Sequence, residues 1–143
     1  MNLFNLPWWA FALLSAVFAA PTTIFAKLGV EQVSSNLATA IRTLVMLGIA
    51  LSIVAFTGEI RALPTITRQS WWMLILSAVA TGLSGLCYFR ALQLGNASSV
   101  APIDRASVAL VLILSVVVLG EPLTWQSVLG TVAILIGLLI FLL

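Results

Sequence analysis

Five apolar stretches, each long enough to cross a lipid bilayer, take up almost all of this 143-residue chain. Hydrophobic residues make up 62% of the sequence and charged residues 7%, whereas a soluble domain carries about 25% charged residues. A run of about 20 apolar residues is the signature of a membrane-spanning helix. The sequence therefore predicts an all-α integral membrane protein with five transmembrane helices, and it excludes a water-soluble fold.

The predicted helices follow one another through short connections. Their approximate bounds are 8–30, 36–56, 70–94, 98–119 and 125–143. Gly58, Gly95 and Gly120 lie just after predicted helices, where a helix ends or the chain reverses direction. No linker or low-complexity segment divides the sequence, so residues 1–143 are expected to form a single transmembrane domain. An odd number of helices puts the two termini on opposite sides of the membrane.

Aromatic and charged residues separate to the two sides of the membrane. Because helix direction alternates, the tryptophans fall on one side as half of an aromatic belt: Trp8, Trp9, Trp71, Trp72 and Trp125. The opposite side receives Lys27, Glu31, Arg42, Arg90, Asp104 and Arg105. Counting only loop residues favours a cytoplasmic tryptophan side, whereas counting every basic residue reverses the orientation. This weak bias is compatible with insertion in both orientations.

Arg42 is the charged residue whose position in a membrane helix is hardest to explain by a structural role alone. A charge at the centre of a membrane helix costs about 2.5–3.5 kcal/mol, so each is a candidate for function until it is paired. Arg42 lies about two turns, roughly 9 Å, beyond Asn36. We weigh a binding or gating role equally with a structural ion pair to Asp104. Arg90 lies nearer a helix end, where it can extend to the interface, and Tyr88 lines either a polar pathway or an ordinary helix contact.

Two prolines fall inside predicted helices. Pro21 lies about two turns before the end of the first helix, where its missing N–H can produce a hinge or gate, or only a packing kink. Pro102, in the sequence VAPIDR, falls in the first two turns of the fourth helix. There it loosens the turn and leaves carbonyls that substrate or water can meet.

Asp104 and Arg105 follow Pro102 closely. One interpretation makes Asp104 a carboxylate near a helix start, paired to Arg42 or Arg90 and favoured by the helix dipole. The other makes it the acidic group of an internal cavity, suited to proton coupling or cation binding. Arg105 is grouped with it as a candidate substrate-binding residue.

Several classes of function lack the residues they need. The sequence has no histidine, which removes histidine-based metal sites and catalytic triads, and one cysteine, Cys87, which cannot form an intrachain disulfide. We expect no metal, no cofactor and no enzyme activity. A net charge of +2 without a basic stripe is also too little for a nucleic-acid surface.

Several short motifs occur in an order that resembles the EamA domain of the drug/metabolite transporter superfamily. They are Phe25 to Gly29 (FAKLG), Ile41-Arg42, Tyr88 to Leu92 (YFRAL), Gly95 to Ser98 (GNAS), Ala101 to Ile103 (API) and Leu119 to Pro122 (LGEP). The resemblance covers essentially the whole chain. It implies that the chain is one five-helix half of a fold that commonly has two halves of opposite topology around a central cavity.

The resemblance implies a secondary transporter, an exporter or exchanger of small polar or amphipathic metabolites that works by alternating access in the cell (inner) membrane. Its expected partners are the lipid bilayer, a small-molecule substrate and a second copy in an antiparallel homodimer, or a paralogue in a heterodimer. The basic residues favour anionic or zwitterionic solutes, since arginine binds carboxylates and phosphates in bidentate fashion. A non-transporting accessory or assembly subunit and a flippase for lipids or lipid-linked sugars are the alternatives.

Overall fold

Helices and short turns make up the part of the chain that the structure, a computed structural model, describes, which is residues 7–141. The elements are α1 (Trp8–Gly29), α2 (Ser35–Thr57), a 3-10 helix (Glu59–Thr65), α3 (Arg68–Leu94), α4 (Ala97–Asp104), α5 (Ser107–Leu119) and α6 (Trp125–Ile140). No strand occurs within these residues. The all-α prediction is confirmed.

Four segments are both long and apolar enough to cross a membrane: α1, α2, α3 and the segment Ala97–Leu119, which contains α4 and α5. The fifth predicted span corresponds to α6, which is apolar but has 16 residues. Its predicted end at Leu143 lies outside the described residues. The structure thus supports four spans fully and the fifth in part.

The ends of α2 and α6 follow from local chemistry. The hydroxyl of Ser34 accepts a hydrogen bond from the Leu37 amide, and Thr124 accepts one from the Ser127 amide, so each supplies a partner to a helix start. Gly58 ends α2 at φ 74°, and this left-handed conformation is costly for any residue with a Cβ. These boundaries lie within two residues of those predicted from the sequence.

The chain divides into two compact units, residues 1–94 and 95–143. In the first unit, α1 and α2 both pack against α3. In the second unit, α5 packs against α6. Most apolar side chains in both units face outward, as expected of helices surrounded by lipid tails.

Helices α1 and α3 run parallel and in register. Thr23 contacts Tyr88 and Lys27 contacts Leu92, and both pairs are separated by 65 residues along the chain. A constant separation over one helical turn means that the two helices advance together. The small buried core of this unit lies at the same end, where Val30, Phe89 and Leu92 are 2%, 2% and 0% exposed.

The fourth predicted helix, 98–119, is interrupted. It is continuous through Pro102 but breaks at Arg105 and Ala106, between α4 and α5. At the break, the Arg105 and Ala106 amides bond carbonyls three residues back, at 2.9 and 3.0 Å, which is the tighter 3-10 pattern. The Ser107 hydroxyl donates to the main-chain oxygen of Asp104 at 2.9 Å and so satisfies a carbonyl at the end of α4.

Pro21 does not interrupt α1, which is continuous from Trp8 to Gly29. The two threonines after the proline bond back to the preceding turn: the Thr22 hydroxyl donates to the Phe18 carbonyl at 2.8 Å, and the Thr23 hydroxyl to the Ala19 carbonyl at 3.3 Å. Such bonds occupy backbone groups around a proline in a membrane helix. The role of Pro21 as a hinge or gate stays a prediction.

Candidate functional site

A set of polar contacts ties the parallel ends of α1 and α3. The hydroxyls of Thr23 and Tyr88 lie 2.9 Å apart and share a hydrogen bond. One turn further along, the ammonium of Lys27 donates to the main-chain oxygen of Leu92 at 2.7 Å. The last carbonyls of a helix lack intrahelical partners and carry its negative dipole end, so a lysine is well suited to this position.

Gln93 fastens the turn between α1 and α2 to the end of α3. Its side-chain amide donates to the carbonyls of Val30 and Val33, at 3.3 and 2.8 Å. Its amide oxygen accepts a hydrogen bond from Nη1 of Arg90 at 3.1 Å. Gln93 therefore holds a guanidinium with one end of its amide and the turn with the other.

We call this group of contacts the polar end of the first unit. A cleft of about 360 Å³ opens beside it, lined by Lys27, Val30, Glu31, Arg90, Gln93 and Leu94. Both signs of charge are present in this lining. The polar end therefore holds α1, α3 and the turn after α1 together, and its charged side chains line an open cleft.

A second feature of the first unit is the α1–α2 groove, an open depression of about 570 Å³. It is lined by Thr22, Phe25, Ala26, Gly29, Val33, Ala38, Ile41, Arg42, Val45, Met46 and Phe89. The positions on α1 and on α2 each recur at three- and four-residue intervals, which is the spacing of one helical face. Two apolar helix faces thus form the walls, and Phe89 of α3 contributes to the lining.

Arg42 is the charged residue of this groove. Its guanidinium carbon lies 5.5 Å from the centre of the Phe89 ring, within cation–π range. The acidic residues of the first unit are Glu31 and Glu59, and within residues 7–94 neither forms an ion pair with Arg42. The guanidinium contacts a buried ring, and within the described residues its N–H donors form no hydrogen bond.

The second unit contains the other predicted site residues. Pro102 lies inside α4, Asp104 is the last residue of that helix, and Arg105 is its C-cap. Asp104 therefore lies at the end of α4, not near its start as the sequence predicted, and three positions before α5. Both charged side chains are exposed in this unit.

Comparison with known proteins shows the protein family of this chain. The chain matches the EamA-like transporter family over residues 6–143. It belongs to this family. A curated relative from Sinorhizobium sp., named an uncharacterized transporter in the cobO 3'region, is 48% identical over 133 residues, which are 93% of this chain and 94% of the relative. No solved structure matches the chain.

Membership of the EamA-like family confirms the resemblance drawn from the sequence motifs. The protein is a multi-pass membrane protein of a transporter family. Among the described residues, no group of three metal-ligating side chains occurs.

The structure brings together some of the predicted site residues of this EamA-like protein. Tyr88 and Arg90 lie at the polar end, while Arg42 lies in the α1–α2 groove. Asp104 belongs to the other unit, and its pairing with Arg42 or Arg90 stays a prediction.

Sequence reasoning missed Gln93 and Phe89. A glutamine near a helix end and a phenylalanine in a membrane helix carry no special signal. The register of α1 against α3, together with the packing of α2 on α3, gives these two residues their contacts.

Proposed function

We propose that this EamA-like protein is a secondary-active transporter, an exporter or exchanger of small polar or amphipathic metabolites. It acts by alternating access in the cell (inner) membrane as an antiparallel dimer. In each subunit the α1–α2 groove supplies a binding surface, with Arg42 as its charged residue and Arg90, Tyr88, Asp104 and Arg105 as further binding or coupling residues. Pro21 and Pro102 are the proposed hinge or gate positions.

The observation that carries this proposal is Arg42, a guanidinium in an open groove that forms no ion pair with an acid among residues 7–94. A charge kept inside a membrane helix without such a partner is costly, and charges of this kind commonly mark substrate or ion pathways. A purely structural arginine would be expected to have an acid in reach within its own helical packing.

One comparison and one general property of transporters support the dimer. The 133 aligned residues are 93% of this chain and 94% of the Sinorhizobium relative, so the relative is similar in length to this chain. Transporters built from inverted repeats bind substrate between two halves of opposite topology. A chain with five spans provides both halves when a second copy inserts in the opposite orientation.

Membrane orientation tests the dimer. Reporters active only in the cytoplasm or only outside it are fused to the C-terminus in two separate fusion proteins expressed at equal level. Activity from both reporters is the expected result. Activity from one reporter alone contradicts the antiparallel homodimer and leaves the heterodimer with a paralogue.

Metabolite export tests the transport function. Cells expressing the protein are compared with cells expressing Arg42→Ala, Asp104→Asn or the control Arg61→Gln, whose arginine lies in the 3-10 helix outside the groove. Mass spectrometry of the medium should reveal compounds that accumulate with the wild type and with the control, and fall to background with the other two. Equal media from all strains and from empty-vector cells would favour a non-transporting accessory subunit.

A further inference from the structure

The lining of the α1–α2 groove is specific enough to define a class of ligand. We propose that the groove binds an amphipathic monocarboxylate, whose carboxylate pairs with Arg42 and whose apolar body lies against the groove walls. This inference deepens the proposed transport function and rests on it for its biological meaning, while the binding can be measured without transport.

The charge of the lining selects a single negative charge. Of the eleven lining residues, Arg42 alone is ionisable, and the Thr22 hydroxyl donates to its own helix at the Phe18 carbonyl. One guanidinium balances one carboxylate in planar, bidentate fashion. A phosphomonoester carries about −1.5 to −2 charges at pH 7, so part of its charge would stay unbalanced against apolar walls.

The same lining disfavours zwitterions. An ammonium group needs an acceptor, ideally a carboxylate, and no acidic side chain is among the described residues that line the groove. A free amino acid would therefore bring a cation into apolar surroundings that already hold Arg42. Within the broader class of anionic or zwitterionic solutes, this geometry favours the anionic members with an apolar body.

The walls of the groove contact the apolar body of the proposed ligand. Phe25, Ile41, Val45 and Met46 present aromatic and aliphatic surface on both sides of the groove. The lining positions on α1 extend from Thr22 to Gly29, about 10 Å along the helix axis, which accommodates an aromatic ring or a chain of about six carbons. A small anion such as acetate would reach the guanidinium without using these walls.

The contact of Arg42 with Phe89 is compatible with carboxylate binding. The guanidinium carbon of Arg42 lies over the buried ring, 5.5 Å from its centre. A bidentate carboxylate approaches the edge of the plane, where the N–H groups point, and both contacts can exist together.

Equilibrium binding of radiolabelled benzoate to the purified protein in phosphatidylcholine nanodiscs tests the proposal. We expect saturable binding that hexanoate displaces and that acetate and benzyl alcohol do not, because the first of these lacks the body and the second the charge. Arg42→Gln should weaken benzoate binding at least tenfold, whereas Arg61→Gln should leave it unchanged. Displacement by benzyl alcohol as effective as by hexanoate, absence of saturable binding, or wild-type affinity in Arg42→Gln would overturn the proposal.

A second variant protects the test against misfolding. Ala38→Phe adds a ring to the lining without altering any charge, and it should also weaken benzoate binding while the elution volume of the protein stays that of the wild type. Unchanged affinity in this variant contradicts a site in the groove.

Lipid provides another source of amphipathic anions. Replacing a fifth of the phosphatidylcholine by phosphatidylglycerol should leave benzoate affinity unchanged, and a steep loss of affinity would overturn the proposal by identifying the groove as a site for anionic lipid. Benzoate binding without metabolite export would sustain this inference and contradict the transport function. Export by the wild-type protein without saturable benzoate binding would sustain the transport function and contradict this inference.

Discussion

The side-chain amide of Gln93 donates to the main-chain oxygen of Val33 at 2.8 Å, so a residue at the end of α3 holds the turn that joins α1 to α2. A second bond from the same nitrogen reaches Val30 at 3.3 Å. Both carbonyls lie where the helix pattern of backbone hydrogen bonds has ended. One side chain thus satisfies two groups that the backbone leaves without helical partners.

Replacing Gln93 by leucine should lower the free energy of unfolding by about 1–3 kcal/mol, the usual cost of leaving part-buried polar groups without a partner. Titration with sodium dodecyl sulfate, followed by tryptophan fluorescence, measures the change. Gln69→Leu is the matched control, because Gln69 lies exposed in the first turn of the same helix. Equal effects of the two substitutions would contradict a role for Gln93 in holding the turn.

The bond between Thr23 and Tyr88 should appear as an energetic coupling. Thr23→Val and Tyr88→Phe each remove one hydroxyl, and the double variant should be less destabilised than the sum of the two by about 0.5–1.5 kcal/mol. The same detergent titration on the four proteins of the cycle gives this value. Strictly additive effects would mean that the hydroxyls, 2.9 Å apart, contribute independently.

Phe89 should be far more sensitive to truncation than Phe56. The first is 2% exposed and the second 92% exposed. In lipid the transfer of apolar surface contributes little, so the loss of packing and of the contact with Arg42 dominates, and Phe89→Ala should cost about 1–3 kcal/mol. Phe56→Ala should change the unfolding midpoint by no more than the error of the titration, and a comparable loss in both variants would contradict this reasoning.

Two glycines of the same region provide a test of backbone conformation. Gly58 ends α2 at φ 74°, whereas Gly48 lies inside α2, where an added methyl group would have no heavy atom of a neighbouring element within 4 Å. Gly58→Ala should destabilise the protein by about 1–2 kcal/mol, because an L residue is strained in the left-handed region. Gly48→Ala should be neutral or slightly stabilising, since alanine favours the helix. Thermal unfolding in detergent compares the two, and equal midpoints would contradict the strain at Gly58.

The helices were largely predictable because hydropathy decides them. Long apolar runs bounded by glycines and serines indicated the limits of α1, α2 and α3 within two residues. The interruption between α4 and α5 was not predictable in position. Pro102 indicated a loosened turn, but the tightened backbone bonds occur three and four residues later, at Arg105 and Ala106, where neither residue type signals a break.

Of the residues in the groove and at the polar end, the sequence singled out Arg42, Arg90 and Tyr88. Arg42 and Arg90 were recognised because charge is rare in this sequence. Gln93 and Phe89 were missed because their contacts depend on how three helices pack, and their residue types are common at such positions. Arg42 and Phe89 are distant in sequence, and the packing of α2 against α3 brings them into contact.

The side-chain hydrogen bonds of the polar end join α1 and α3 at one end of the two helices. Within residues 7–94, the hydrogen bonds from the side chains of α3 to α1 and to the turn after it lie at this end, and α1 begins at its far end with Trp8 and Trp9. If the two helices separate, we therefore expect the contacts near Lys27 and Leu92 to be kept longest and the tryptophan end of α1 to move furthest. A small change in the contacts at the polar end would then give a larger displacement at the opposite face of the membrane.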